Sequence, residues 1–183
     1  MIGFLFFLFG LLATLGMCGL AAWSDYKGFR IPNLVPLVIV AAFAVAFGVT
    51  TLTGQRAEVF MPLPSHLGVA FAVLMLTMVL YAFKLFGAGD SKFVSALALW
   101  FSLQGLAAFF FYMTLFGGLL GLTSLALRKW KPFKTPTPGT WFAKAQEGHN
   151  AVPYGIAIAL GAVIAFLFMG YFNFDKWAAM FAT

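Results

Sequence analysis

The chain has 183 residues, of which 63% are apolar and 9% are charged, and its mean hydropathy is +0.98. Soluble domains are typically about half apolar and about one quarter charged, so this composition excludes an ordinary soluble protein and predicts an integral membrane protein. The net charge of +6 is spread over short segments between apolar runs, so no nucleic-acid partner is expected. The length predicts one domain, over residues 1–183.

Long apolar runs predict the transmembrane helices, because a bilayer core about 30 Å thick requires about 20 apolar residues per helix. Six spans are expected, over Ile2–Trp23, Leu34–Leu52, Leu67–Phe86, Ser91–Phe101, Leu106–Leu127 and Val152–Phe174. The first run lacks the charged start of a signal peptide, so we expect it to be retained. The fourth run is short, and it can cross the membrane only if its ends are buried in protein or in a water-filled cavity.

Lysine and arginine residues concentrate on one side of this topology. With the N-terminus outside, nine of the eleven basic residues fall in segments predicted to face the cytoplasm. They are Lys27, Arg30, Lys84, Lys92, Arg128, Lys129, Lys131, Lys134 and Lys144. Only Arg56 and Lys176 fall outside. Because positively charged loops are retained in the cytoplasm, we expect an all-α membrane protein with six spans and both termini outside.

Two polar segments at the predicted cytoplasmic side each contain an aspartate. One is Ser24–Asn33, expected as a loop, which contains Asp25 and ends in Ile-Pro-Asn. The other is Gly87-Ala88-Gly89-Asp90-Ser91-Lys92, between the third and fourth apolar runs. An acidic residue at the edge of membrane-spanning sequence is energetically costly and is therefore a candidate for function. Glycine beside it lets the backbone bend and lets a substrate strand approach closely.

Two carboxyl groups that lie close together can hydrolyse a peptide bond. Because both cannot ionise at short range, the pair shares one proton near neutral pH. One group can then take a proton from water while the other protonates the carbonyl oxygen of the substrate. Since the titration belongs to the pair, either aspartate can be the base.

A structural role explains each aspartate taken alone. Asp90 is suited to cap the N-terminus of the following helix, and Asp25 is suited to cap a loop or to pair with Lys27 or Arg30. The joint pattern favours function, because both acids are expected at one membrane face beside Gly-x-Gly and Ile-Pro-Asn. The other three acids of the chain lie in ordinary polar segments.

Three elements together resemble the type IV leader peptidase (prepilin peptidase) family, whose members are intramembrane aspartyl proteases. Asp25 through Asn33 resembles the family's aspartate followed by Ile-Pro-Asn, and Gly87 through Lys92 resembles its Gly-x-Gly-Asp-x-Lys element. Val152-Pro153-Tyr154-Gly155 resembles its Pro-Tyr-Gly element. By this resemblance, Asp25 and Asp90 are the catalytic pair. The substrate is then a type IV pilin-like precursor, whose short leader is removed at the cytoplasmic boundary of the inner membrane.

The resemblance also implies residues that support the catalytic pair or bind substrate. They are Gly87, Gly89, Lys92, Lys27, Pro153, Tyr154 and Gly155. Simpler roles stay open for some of them. The two lysines could lie at lipid headgroups, and the proline could only start the last helix.

The chain differs from the longer members of that family. Those members carry a cytoplasmic insertion with paired cysteines, which resembles a zinc-binding module and is associated with N-methylation of the new pilin terminus. Here Ser24–Asn33 alone joins the first two predicted spans, and the chain has one cysteine, Cys18. We therefore expect no N-methylation, no metal and no other cofactor, as in the short, peptidase-only form found with Tad/Flp-type pili.

Two other classes of function use the same residues differently. A small ion-coupled transporter would also place aspartates at discontinuous helices. However, both acids here are expected at one membrane boundary rather than midway, and no inverted repeat is visible. A non-catalytic assembly subunit would need neither aspartate for processing of a precursor.

Overall fold

The computed structural model describes residues 1–150, 152–175, 177 and 178, and all regular structure within these residues is helical. The helices are α1 (Ile2–Gly28), α2 (Leu34–Leu52), α3 (Arg56–Val59), α4 (Leu63–Ala82), α5 (Ala88–Ala98), α6 (Leu103–Trp130), α7 (Trp141–Gln146) and α8 (Tyr154–Phe168). The all-α prediction is confirmed for this part of the chain.

Four helices are long and apolar enough to cross a membrane, namely α1, α2, α4 and α6. A helix rises about 1.5 Å per residue. The 11 residues of α5 therefore extend about 16 Å and the 15 residues of α8 about 22 Å, both short of a bilayer core of about 30 Å. Six spans, the outside termini and the cytoplasmic loops consequently stay predictions. Lys176, which was assigned to the outside, is not among the described residues.

The short helix α5 ends inside the protein. It packs against α2, α4 and α8, and residues 93–101 are all buried. Just beyond its end, the Trp100 carbonyl accepts a 2.9 Å hydrogen bond from the Tyr171 hydroxyl, and Trp100 Nε1 donates to the Ile39 carbonyl at 3.4 Å. Backbone carbonyls at membrane depth need such partners. These contacts allow α5 to stop in the interior while its first turn stays near the surface.

Helix ends depart from the predicted spans, because apolar runs do not determine where a helix is capped. α1 continues past Trp23 to Gly28, where Phe29 adopts a left-handed conformation (φ 52°) and its N–H donates to the Asp25 carbonyl. This is a common way to end a helix. α3 and α7 form in polar segments for which the sequence predicted no helix. α7 packs against the ends of α1 and α6, with Trp141 in a small apolar cluster.

Candidate active site

Asp25 lies on a helix, which corrects the expectation of a loop over Ser24–Asn33. It is in the last turn of α1, and its side chain is only 5% exposed. No salt bridge joins it to Lys27 or Arg30, and within the described residues the one contact that meets the distance for a salt bridge is between His149 Nε2 and Glu147 Oε2, at 3.8 Å. Its carboxylate Oδ2 instead accepts a 2.7 Å hydrogen bond from the backbone N–H of Gly155.

Gly155 can hold Asp25 because it has no side chain. It is the second residue of α8, and the first N–H groups of a helix have no partner within that helix. A Cβ atom on Gly155 would lie 3.0 Å from Asp25 Cβ and 3.1 Å from Asp25 Oδ2, closer than ordinary van der Waals contact. The third sequence element thus contacts the first aspartate directly.

Asp90 is the third residue of α5, which corrects the expectation that it caps the helix as the residue before the first turn. Gly87 occupies the cap position. The Asp90 carboxylate turns back toward the backbone N–H of Gly87, which lowers the pKa of Asp90 against the larger effects of burial and of the Asp25 charge. A Cβ atom on Gly87 would lie 2.5 Å from Asp90 Oδ2, so this close return also requires glycine.

The two aspartates line one cleft of about 310 Å³. Its lining residues are Asp25, Phe29, Arg30, Ile31, Gly87, Ala88, Gly89 and Asp90. Asp90 lies outside the four helices that are long enough to span the membrane. Burial, and then the charge of Asp25, raise the pKa of Asp90 to about 6. A carboxyl group that keeps its proton close to neutral pH, beside a second carboxyl group, is suited to acid–base chemistry.

Other predicted residues support these segments without lining the cleft. Lys92 Nζ donates a 3.1 Å hydrogen bond to Asn33 Oδ1, which joins the start of α5 to the start of α2. Lys27 Nζ lies 4.6 Å from the centre of the Trp23 ring. Such a position is compatible with a cation at the membrane surface.

The three residues of the Pro-Tyr-Gly element have different contacts. Pro153 immediately precedes α8, in agreement with its expected place at the start of the last helix. The Tyr154 ring packs over Gly117 of α6, where an added Cβ atom would lie 3.1 Å from it. Gly155 is the residue of this element that bonds to an aspartate. Gly89, by comparison, lies against Ile31, with 3.4 Å between an added Cβ atom and Ile31 Cβ.

Sequence reasoning did not select Phe29 or Ile31, although both line the cleft. The sequence feature that could have identified them is their position, because both lie in the short segment from Asp25 to Asn33. The Phe29 ring is covered by Lys144 of α7, whose Nζ lies 4.6 Å from the ring centre. The end of α1 is therefore held from the side of α7 as well as from α8.

Comparison with known proteins gives one family. The family model described as the type IV leader peptidase family matches residues 3–122, which is more than half of the chain and includes both Asp25 and Asp90. Searches of curated proteins and of solved structures gave no significant match. The matched range contains both aspartates and most of the apolar sequence, and the chain has helices able to span a membrane. The chain therefore belongs to the type IV leader peptidase family.

Proposed function

We propose that this chain is an aspartic endopeptidase that removes the short leader of type IV pilin-like precursors. The observation that carries the proposal is the single cleft lined by Asp25 and Asp90. Membership of a peptidase family supports the reaction class. The inner membrane, with the cleft at its cytoplasmic boundary, is the location that follows from the distribution of basic residues.

The proposed reaction uses the two carboxyl groups in turn. One carboxylate takes a proton from a water molecule as the water oxygen attacks the scissile carbonyl carbon, and the other carboxyl group protonates the carbonyl oxygen. The resulting tetrahedral diol collapses as the C–N bond breaks. The leaving nitrogen takes a proton from the group that received it from water, and the other carboxylate takes back the proton of one hydroxyl, so that the new carboxyl group forms and the pair returns to its starting state. Acid–base catalysis of this kind contributes about 10²–10⁴-fold to a rate.

The proposed product is not methylated. Five residues, Phe29 to Asn33, join α1 and α2, so no cytoplasmic insertion separates the first two long helices. The single cysteine, Cys18, is buried within α1, away from this connection. A pilin with an unmodified new N-terminus is therefore the expected product.

Purified protein in proteoliposomes, incubated with pilin-like precursors encoded in the same genome, tests the proposal. Mass spectrometry should show the loss of a leader and an unmethylated terminus. Asp25→Asn and Asp90→Asn should each lower the rate at least about 10²-fold. Asp175→Asn is the matched control, because Asp175 is exposed and does not line the cleft.

Two results would contradict the proposal. Full cleavage by either cleft variant, with normal membrane insertion, would exclude catalysis by the pair. Ion flux in the same proteoliposomes that depends on Asp25 and Asp90, without cleavage of any precursor, would favour a transporter instead.

A further inference from the structure

Among the described residues that line the aspartate cleft, one carries a positive charge. This residue is Arg30, which follows the turn at the end of α1. The Ser24 hydroxyl donates a 2.7 Å hydrogen bond to the Arg30 carbonyl, and Ser24 directly precedes Asp25. The backbone at Arg30 is therefore tied to the helical turn that carries Asp25, while the Arg30 side chain is exposed.

Within the part of the chain that the structure describes, the Arg30 guanidinium has neither an ion pair nor a hydrogen-bond partner. The two lysines of the aspartate segments, by contrast, are occupied. Lys27 Nζ lies 4.6 Å from the centre of the Trp23 ring, and Lys92 Nζ bonds to Asn33 Oδ1 at 3.1 Å. Neither lysine lines the cleft. Arg30 is thus the cation that a ligand entering the cleft can reach.

Cutting a peptide bond changes the charge held in this cleft. Before the reaction, the two aspartates share one proton and together carry one negative charge. The reaction turns the neutral carbonyl of the scissile bond into a carboxyl group, which is ionised at neutral pH. Two negative charges then lie in one cleft, and like charges at short range repel each other. The positive charge of Arg30 offsets this repulsion.

We propose that Arg30 binds the C-terminal carboxylate that cleavage creates on the released leader, so that the free leader is an inhibitor of the protein. This inference rests on the proposed function. A guanidinium group presents parallel N–H groups that match the two oxygens of a carboxylate. The uncut precursor has a neutral amide at the same position. Arg30 therefore distinguishes product from substrate by the charge of this one group.

An anionic lipid headgroup is the other ligand that an arginine at a membrane surface attracts. That role requires only an exposed cation, and it gives no reason for Arg30 to line the cleft that contains both aspartates. It also predicts that the protein binds a leader ending in a carboxylate and a leader ending in an amide equally well. Peptides therefore separate the two roles.

Two synthetic peptides test the proposal. Both have the leader sequence of a pilin-like precursor encoded in the same genome, and they end in a free carboxylate or in a carboxamide. Fluorescence anisotropy with labelled peptides gives Kd for the purified protein in neutral detergent and requires no turnover. We expect wild-type protein to bind the carboxylate form at least about tenfold more tightly, because hydrogen bonds between charged groups are strong. Competition against precursor cleavage should give the same ratio of inhibition constants.

Three variants show whether Arg30 causes this difference. Arg30→Gln should abolish the preference for the carboxylate form, since the aspartate pair then repels the carboxylate with no cation to offset it. Arg30→Lys keeps the charge but not the paired N–H groups, so we expect an intermediate ratio. Lys84→Gln is the matched control, because Lys84 is an exposed cation that does not line the cleft. This control should keep the wild-type ratio.

The inference would be overturned if wild-type protein bound both peptides equally or bound neither. A wild-type ratio in Arg30→Gln would also overturn it and would favour a role at lipid headgroups. An equal loss in Arg30→Gln and Lys84→Gln would show a general effect of surface charge, which again contradicts a contact with Arg30. Failure of the wild-type protein to cleave any precursor would instead overturn the proposed function, and it is scored separately because the binding measurement requires no turnover.

Discussion

The backbone N–H of Gly155 bonds to Asp25 Oδ2 at 2.7 Å, across 130 positions of sequence. This contact joins the start of α8 to the end of α1. It also links an element outside residues 3–122, where the family model matches, to an aspartate inside that range. The orientation of Asp25 consequently depends on a helix that lies far from it in the chain.

Gly155→Ala should damage both stability and cleavage. The new methyl group would lie 3.0 Å from Asp25 Cβ, so one of the two segments must move. Overpacking of this kind costs about 1–3 kcal/mol, and a displacement of about 1 Å at a catalytic group can cost about 10²-fold in rate. Thermal unfolding in detergent and kcat/KM measure the two effects. Gly118→Ala in α6 is the control, because nothing lies within 4 Å of its added Cβ; equal behaviour of the two variants would refute this prediction.

Gly87→Ala should displace Asp90 more than Gly89→Ala does. At position 87 the added Cβ would lie 2.5 Å from Asp90 Oδ2, whereas at position 89 the nearest atom is Ile31 Cβ at 3.4 Å. We expect a loss in kcat/KM of at least about tenfold for Gly87→Ala and a smaller loss for Gly89→Ala. Measuring kcat/KM of both variants on the same precursor shows which substitution causes the larger loss. The reverse order would show that the Gly87–Asp90 contact is unimportant.

Cleavage should decline as pH rises above about 6. Burial and the charge of Asp25 raise the pKa of Asp90 to about 6, so above that pH the pair loses its shared proton and with it the acid. Asp25→Asn removes the negative charge of Asp25 but leaves Asp90 buried. The pKa of Asp90 should therefore fall in this variant yet stay above 3.8. Carboxyl ¹³C NMR suits this measurement, since the chain has three aspartates. Asp175→Asn should leave Asp90 unchanged; a wild-type Asp90 that titrates near 3.8 would contradict the prediction.

Tyr171→Phe should destabilise the protein while the aspartate cleft stays intact. It removes the 2.9 Å hydrogen bond to the buried Trp100 carbonyl at the end of α5. An unsatisfied buried acceptor costs about 1–3 kcal/mol. Tyr81→Phe is the control, because Tyr81 is 54% exposed. Thermal unfolding followed by tryptophan fluorescence compares them, and equal midpoints would count against this role of Tyr171.

The sequence predicted the helices and the two aspartate segments because these depend on local features. Apolar runs predicted the positions of α1, α2, α4 and α6 to within several residues. The predicted end of α1 at Trp23 was wrong, because the residues from there to Gly28 include polar ones that are compatible with either a helix or a loop.

Contacts within the site could be predicted only in part. Pro-Tyr-Gly pointed to the right segment, but nothing in it distinguished Gly155, which contacts Asp25, from Tyr154, which packs on α6. Asp90 was predicted to occupy the cap position itself, but Gly87 occupies it three positions earlier, and the Asp90 carboxylate turns back toward Gly87. Contacts of this kind depend on how the helices pack against each other, which local sequence patterns do not determine.

The amides that face the two carboxyl groups belong to the main chain, with that of Gly155 bonded to Asp25 and that of Gly87 near Asp90. No side-chain substitution deletes the N–H of Gly87 or Gly155 unless proline is introduced. Both positions require a residue without a side chain. An added methyl group would lie 2.5 Å from the Asp90 side chain at position 87 and 3.0 Å from the Asp25 side chain at position 155. The surrounding apolar sequence can therefore vary widely in side-chain identity while the two acids keep their partners, provided that both positions stay without a side chain.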